Sequence, residues 1–149
     1  MRISIGCDHS ALDLKVNLIN YLKELGHIVT DCGTYTKDSC DYTDFGYNVA
    51  KDIKNKEADR GIVICSTGIG MSIIANKVKG VRCALVYSLD AAKLTREHND
   101  TNCLALGAKY TDISLAKQIV SMWLDTPFSN HERHQRRIDK IIQYEEKEK

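Results

Sequence analysis

The feature that most constrains this chain is a regular alternation of short apolar runs with longer amphipathic stretches. Five apolar runs read as buried strands, at 3–7, 28–32, 61–65, 81–86 and 102–106. The stretches between most of them carry apolar residues at helical spacing, and the first helix begins in an apparent capping box at residues 10–13. Parallel strands need helical crossovers, so this order predicts a five-stranded parallel sheet covered on both faces. We therefore predict an α/β fold, a Rossmann-like three-layer α/β/α single domain over residues 1–149.

A final helix, over about 132–146, falls outside the strand–helix alternation. It follows Pro127, is rich in Arg and Lys, and places Ile138, Ile141 and Ile142 on one face. Such a helix either packs on its own domain or extends to a second subunit.

The overall charge argues against several classes of protein. Lys and Arg together number 21 and Asp and Glu 20, giving a net charge of +1, whereas nucleic-acid-binding domains usually carry a basic excess. No apolar run approaches the roughly 18 residues of a membrane span. The first nine residues contain no signal-peptide core, so a cytoplasmic location is expected.

The cysteines favour neither a disulfide framework nor a metal centre. None of the six belongs to a CxxC pair, which also argues against a redox protein. Reduced thiols and no bound metal are therefore expected.

The candidate chemistry lies where strands end, because open α/β sheets bind ligands beyond the carboxyl ends of their strands. The clearest signal is the glycine-rich turn 65–70, whose backbone N–H groups could face an anion. It is neither a Walker loop nor a GxGxxG fingerprint. Cys65 begins this turn near a helix amino terminus, which favours the thiolate. A tight turn with a buried structural cysteine is an equally good interpretation of the turn alone.

Five other residues have both a functional and a simpler interpretation. Asp8 and His9 follow the first strand as a possible acid–base pair, or as a helix-capping carboxylate and a surface histidine. His98 could act as a general acid, or could stabilise a helix dipole. Arg133 and Arg137 lie one helical turn apart and suit a phosphate, although a solvated basic face would have the same pattern.

The order and spacing of these pieces together resemble the ribose-5-phosphate isomerase B family, essentially from end to end. The matching segments are GCDH at 6–9, VTDCGT at 29–34, DY at 41–42, GIVICSTGIG at 61–70, ANK at 75–77, GVR at 80–82, HNDTN at 98–102 and RHQRR at 133–137. The resemblance implies interconversion of ribose 5-phosphate and ribulose 5-phosphate, in the pentose phosphate pathway, without metal or organic cofactor.

The resemblance also implies roles for individual residues. Cys65 would move a proton between C2 and C1 through a cis-enediolate, assisted by the Thr67 hydroxyl, and His98 would open the sugar ring. Negative charge on the enediolate would be stabilised by backbone N–H groups of Ser66, Thr67, Gly68, Ile69 and Gly70.

The remaining family roles concern substrate binding and assembly. Asp8 and Asn99 would bind sugar hydroxyls, Tyr42 would line the pocket, and His9, Arg133, Arg137 and Lys109 would hold the phosphate. In this family the arginines of the last helix serve a neighbouring site, so a homodimer with sites at the subunit interface is implied, with a tetramer as a further possibility.

Two positions depart from the family pattern. Ser66 stands where glycine is common, which is tolerable only if its φ is not positive. Lys109 stands where many members have arginine, so we predict weaker phosphate binding there, because lysine lacks the bidentate fork.

Two alternatives remain open at this stage. One is a related hexose-phosphate isomerase of the galactose 6-phosphate type, with allose 6-phosphate as a possible side substrate of the pentose enzyme. The other is a non-catalytic module that binds a phosphorylated ligand and has no use for Cys65 or His98.

Overall fold

The computed structural model describes residues 1–148, so the last residue of the predicted domain, Lys149, lies outside the described part. The strands are β1 (Arg2–Cys7), β2 (Ile28–Asp31), β3 (Arg60–Cys65), β4 (Cys83–Leu85) and β5 (Cys103–Gly107). The helices are α1 (Leu12–Glu24), α2 (Tyr42–Lys54), α3 (Ile69–Ala75), α4 (Leu89–Asn99), α5 (Ile113–Asp125) and α6 (Glu132–Lys147).

The five strands form one parallel sheet in the order β2-β1-β3-β5-β4. The prediction of a five-stranded parallel α/β fold is therefore confirmed. The chain runs outward from β1 to β2 on one side, then returns to place β3 on the other side. This reversal makes the carboxyl ends of β1 and β3 the switch point, where doubly wound sheets form their ligand crevice.

Helices cover both faces of the sheet because alternate strand residues point to opposite sides. On one face, Ile62 and Ile64 of β3 pack in a core with Leu18 of α1 and Trp123 of α5. On the other face, Val63 and Cys65 of β3 join Val49 of α2 and Met71 of α3. These are the three predicted layers, and Cys65 belongs to the α2–α3 side.

Three local predictions need correction. Ser10 does not cap α1: residues His9–Ala11 form a short 3-10 turn instead, capped by Asp8. Because the Asp8 carboxylate accepts hydrogen bonds from both the backbone N–H and the hydroxyl of Ser10, the chain turns before the helix starts. The polar stretch 34–44 is predicted to be irregular, but its last three residues, 42–44, are the first turn of α2.

The fourth strand is also shorter than predicted, covering 83–85 rather than 81–86. Arg82 lies outside the strand because its backbone N–H donates to the Asn102 side-chain oxygen at 2.8 Å instead of to the backbone of β5.

The last helix, α6, packs on its own chain at the side of α4. Ile138 is buried, and Glu145 accepts a hydrogen bond from the Gly80 backbone N–H. Ile141 and Ile142 remain about two-fifths exposed. The prediction that this helix also extends to a partner subunit is not tested by a single chain.

Over residues 1–148, no helix combines the length and the apolar character needed to cross a bilayer. Within the same range, no group of three or more His, Cys, Asp or Glu side chains is arranged to hold a metal ion.

Candidate active site

The two central strands, β1 and β3, deliver the first group of candidate residues to the switch point. Cys7 is in register with Ile64, and the Asp8 backbone N–H donates to the Ile64 carbonyl at 3.1 Å. Asp8 and His9 therefore leave the sheet directly beside Cys65.

Cys65 is buried at the end of β3, with only 5% of its surface exposed. The turn that follows folds back on it, so that the Gly68 backbone N–H donates to Sγ at 3.2 Å. This contact gives the buried sulfur a polar partner within its own turn. A structural thiol that caps its own turn and a reactive thiol both fit these two observations.

The turn adopts this shape because Gly68 has a left-handed backbone, with φ of +79°. In residues 1–148, the residues other than glycine with a positive φ are Lys56, Asp100 and Asn130. Ser66 is not among them, so its φ is compatible with serine at this position of the turn. A Cβ at Gly68 would lie 2.5 Å from Leu85 Cδ1 and 2.8 Å from the backbone carbon of Leu106. Glycine is required here by both conformation and space.

Thr67 is held from both sides. Its Oγ1 accepts a hydrogen bond from the Ile69 backbone N–H at 3.2 Å. Its carbonyl oxygen accepts one from the Tyr87 hydroxyl at 2.6 Å. Sequence reasoning missed Tyr87, because a lone tyrosine after a strand has no motif, and its partner is a backbone atom.

Tyr42 lies against the far end of the turn. The space beside Gly70 is filled by the Tyr42 ring, which would come within 2.5 Å of a Cβ at that position. The first turn of α2 therefore forms a wall beside the turn, which is the position that a pocket-lining role for Tyr42 requires.

Asp8 and His9 are both occupied by local contacts. The Asp8 carboxylate is 8% exposed and caps the turn formed by residues 9–11, which was the simpler of its two interpretations. His9 Nδ1 accepts a hydrogen bond from the Cys40 backbone N–H at 3.3 Å. This contact leaves Nε2 as the protonated nitrogen of a neutral His9 ring. Cys40 is a second residue that the sequence analysis did not connect to the site.

Lys109 completes this first group. Its backbone N–H donates to the Ser66 carbonyl at 2.9 Å, so it lies directly beside the turn. Its ammonium group is 5.7 Å from the centroid of the Tyr110 ring. The backbone of Lys109 is thus fixed beside the turn, and phosphate binding by its exposed ammonium group stays a prediction.

The second group of candidate residues lies at the junction of α4 and α6. The rings of His98 and His134 are 4.4 Å apart, and Ser129 joins the two helices by donating its backbone N–H to the Glu97 carbonyl. Arg133 donates from Nε to His134 Nε2 at 3.3 Å. Asn99 and Arg137 are exposed on the last turn of α4 and on α6.

His134 is the buried centre of this group. Its Nε2 accepts from Arg133, so the proton is on Nδ1, which donates to the Ser129 hydroxyl at 2.7 Å. Burial lowers the pKa of His134 below its ordinary value, and the charges of His98, Arg133, His131 and Arg137 lower it further. A neutral ring here orients Arg133 without adding another positive charge.

The two groups do not meet within one chain. Cys65 lies at the carboxyl edge of the sheet, whereas His98 and Asn99 precede the amino end of β5. At about 3.3 Å per residue, the five residues of β5 separate these edges by about 16 Å. A cavity of about 760 Å³ beside α6 is lined by Asn99 but not by Cys65.

The fold and the first group together define an α/β protein with a buried thiol and a glycine-rich turn at the switch point of its sheet. Comparison with known proteins specifies this further, because residues 3–141 match the model of the Ribose/Galactose Isomerase family. The chain belongs to this family and is a sugar-phosphate isomerase of the ribose-5-phosphate isomerase B type.

Individual relatives cover almost the whole chain. It is 46% identical over 151 aligned positions to a putative sugar phosphate isomerase, YwlF, of Bacillus subtilis, with 99% of both chains covered. It is 40% identical to ribose-5-phosphate isomerase B of Escherichia coli, covering 98% of this chain and 97% of that one. It is also 39% identical to the galactose-6-phosphate isomerase subunit LacB of Clostridium acetobutylicum, covering 96% and 84%.

Solved structures of the same family superpose closely. Ribose-5-phosphate isomerase B of Clostridium thermocellum gives a TM-score of 0.97 at 46% identity, with both chains fully covered. The enzyme of Mycoplasma genitalium, solved with bound ribulose-5-phosphate, gives 0.92 at 45% identity, covering 99% of this chain and 97% of that one.

Proposed function

We propose that this chain interconverts D-ribose 5-phosphate and D-ribulose 5-phosphate, with Cys65 as the base. The observation that carries the proposal is the Gly68 N–H directed at Cys65 Sγ, in a turn at the switch point of an isomerase-family fold. The names of the relatives support the substrate class, and the thiol and its donor support the chemistry.

In the proposed reaction, the Cys65 thiolate removes the proton from C2 of the open-chain aldose. The electrons of that C–H bond form the C1–C2 double bond, and the carbonyl oxygen at C1 becomes the enediolate oxygen. The Cys65 thiol then returns its proton to C1 while the O2 proton passes to O1, so the C2=O2 double bond forms, the ketose is released and the thiolate is regenerated. The negative charge moves from sulfur to oxygen as the enediolate forms, so donors placed at that oxygen lower the barrier.

Within the predicted donor set, two N–H groups already have partners. Gly68 donates to the sulfur and Ile69 to Thr67 Oγ1. We therefore assign the enediolate oxygen to other N–H groups of the turn, Gly70 in particular. We assign the Thr67 hydroxyl, whose oxygen accepts from the Ile69 N–H, the role of donating to the substrate.

Ring opening and phosphate binding need the second group of residues. We propose that His98 donates a proton to the ring oxygen and that Arg133 and Arg137 bind the phosphate together with His9 and Lys109. Because these arginines lie across the sheet from Cys65, one chain cannot direct both groups at one pentose phosphate. The proposal therefore includes a homodimer, in which α4 and α6 of one copy complete the site of the other.

The arginine side chains of α6 that lack salt-bridge partners among the described residues suit the proposed role in phosphate binding. Arg136 pairs with Glu132 at 2.9 Å, whereas within residues 1–148 neither Arg133 nor Arg137 forms a salt bridge. Two guanidinium groups one turn apart, without carboxylate partners, suit a dianion.

The direct test is conversion of ribose 5-phosphate by the wild type and by Cys65→Ala, with EDTA present and Cys83→Ala as a control thiol. We expect activity in the wild type and in Cys83→Ala, and none in Cys65→Ala. Full activity of Cys65→Ala would assign the base to another residue. No conversion by the wild type would overturn the proposed substrate.

A hexose phosphate is the second candidate, because LacB is nearly as similar to this chain as the pentose enzymes are. The same assay with galactose 6-phosphate and allose 6-phosphate separates the two. We expect the highest kcat/KM with ribose 5-phosphate and, at most, slow turnover of allose 6-phosphate.

A further inference from the structure

Tyr87 makes a contact with the catalytic turn that neither the motifs nor the proposed mechanism uses. It follows β4, is 41% exposed, and donates its hydroxyl to the Thr67 carbonyl at 2.6 Å. Tyr110 packs against its ring edge-on, with centroids 5.5 Å apart. Tyr87 thus approaches the turn from the opposite side of the Thr67 backbone from Cys65.

The atom that Tyr87 binds belongs to the same peptide group that contacts the sulfur. The Thr67 carbonyl and the Gly68 N–H are the two ends of one planar unit. The Tyr87 hydroxyl holds the oxygen end, and Cys65 Sγ accepts from the nitrogen end at 3.2 Å. A continuous chain of hydrogen bonds therefore runs from Tyr87 O–H to the sulfur, and such chains polarise each member.

This peptide group needs to be held in place. Gly68 has φ of +79°, and glycine crosses to other backbone conformations with little steric resistance. Rotation of the peptide plane would turn the N–H away from Cys65 and bring the carbonyl dipole toward it. The close approach of Thr67 to Gly107, where a Cβ would lie 2.5 Å from the Thr67 oxygen, limits sideways movement of this unit. Tyr87 adds the hydrogen bond that fixes its direction.

We propose that Tyr87 is a positioning residue, which orients the Thr67–Gly68 peptide so that its N–H faces Cys65 and thereby sets the reactivity of that thiol. The proposed effect of Tyr87 on the reactivity of the Cys65 thiol rests only on the hydrogen-bond geometry. Its effect on turnover rests on the proposed function, in which Cys65 is the base.

The variant Tyr87→Phe removes the hydroxyl and keeps the ring. Tyr110→Phe is the matched control, because it removes a hydroxyl from the other member of the same aromatic pair, and that hydroxyl has no partner within residues 1–148. Since both side chains are largely exposed, we expect both variants to unfold at nearly the wild-type temperature.

The first readout is the rate of alkylation of Cys65 by iodoacetamide at pH 7.5, followed on the Cys65 peptide by mass spectrometry. The oriented N–H stabilises the anionic sulfur that iodoacetamide alkylates, and its loss removes one hydrogen bond from that anion. We expect about two- to threefold slower alkylation in Tyr87→Phe and no change in Tyr110→Phe. If Tyr87 only restrained the loop mechanically, its removal would expose the sulfur and alkylation would become faster. A faster or unchanged rate overturns the proposal.

The second readout is steady-state turnover of ribose 5-phosphate. We expect Tyr87→Phe to lower kcat with KM unchanged, because the donor acts on the base and not on the phosphate. A rise in KM at constant kcat would assign Tyr87 to substrate binding and overturn the positioning role. If the wild type does not convert this substrate, the proposed function fails while the alkylation result still decides the role of Tyr87.

Discussion

The turn after β3 requires glycine at residue 68, because any side chain at that position would be excluded. Its φ of +79° and the nearby backbone of Leu106 both exclude a Cβ. Gly26 has a similar φ of +86°, but a Cβ there would meet no heavy atom within 4 Å apart from its own chain neighbours. Comparing alanine substitutions at Gly68 and Gly26 therefore separates the energetic cost of left-handed backbone strain from that of a steric clash.

We predict that Gly68→Ala lowers the free energy of unfolding by about 2–5 kcal/mol, the sum of left-handed strain and overpacking. Gly26→Ala should cost about 1–2 kcal/mol, because only the strain applies. Urea unfolding of both variants checks this, and equal losses would mean that the turn yields easily to a Cβ at residue 68.

Cys65 could be predicted as a functional residue from the sequence, whereas Tyr87 could not. Cys65 could be singled out because it stands between a buried strand and a glycine-rich turn, a pattern that lies within ten residues of sequence. Tyr87 contacts the same turn from 20 residues away through a carbonyl oxygen, and backbone atoms carry no sequence signature. The donor from Gly68 to Sγ was likewise beyond prediction, because it depends on the direction of one peptide plane.

At the scale of secondary structure, α6 presents two kinds of arginine. Arg136 is paired with Glu132, whereas Arg137, the next residue, is exposed and forms no salt bridge within residues 1–148. The helical spacing predicted this face correctly, since Arg133 and Arg137 are one turn apart. It could not predict that Arg133 also contacts His134.

We predict that Arg137→Ala raises KM for ribose 5-phosphate by about tenfold or more, the usual loss for a charged hydrogen bond, while kcat changes less. Arg136→Ala, one position away on the same helix, should leave KM within about twofold of the wild type, because surface pairs contribute little. Equal effects of the two substitutions would indicate general attraction by a basic helix.

The buried His134 makes the attachment of α6 sensitive to acid. Because the pKa of His134 is lowered in the fold, the unfolded chain binds a proton more readily. The stability it contributes is thus fully present above about pH 6.5, the ordinary histidine value, and is lost as the pH falls below that value.

We expect the urea midpoint of the wild type to fall between pH 7.5 and pH 5, and to fall less in His134→Asn. His27, whose pKa is also lowered, titrates in the same range, so the informative quantity is the difference between the two proteins. An identical pH dependence in both would contradict the assignment.

At the scale of the whole molecule, the order of strands and helices followed from hydrophobic periodicity, but the arrangement of the site did not. Periodicity predicts which segments are strands and where each ends, so Cys65 could be placed beside Asp8 and His9. The position of β5 between β3 and β4 is a choice of topology that sequence spacing does not specify. The parallel direction of β5, whatever its neighbours, places His98 at the edge of the sheet opposite to Cys65.

The central claim is that each site combines Cys65 of one copy with His98 of another. Cys65→Ala and His98→Asn, each inactive alone, can be coexpressed with different affinity tags so that mixed dimers form. Half of the dimers would be mixed, and each mixed dimer would contain one intact site, so the account predicts about a quarter of wild-type activity. If mixed dimers purified through both tags remain as inactive as the two parents, both residues act within one chain and the account is wrong.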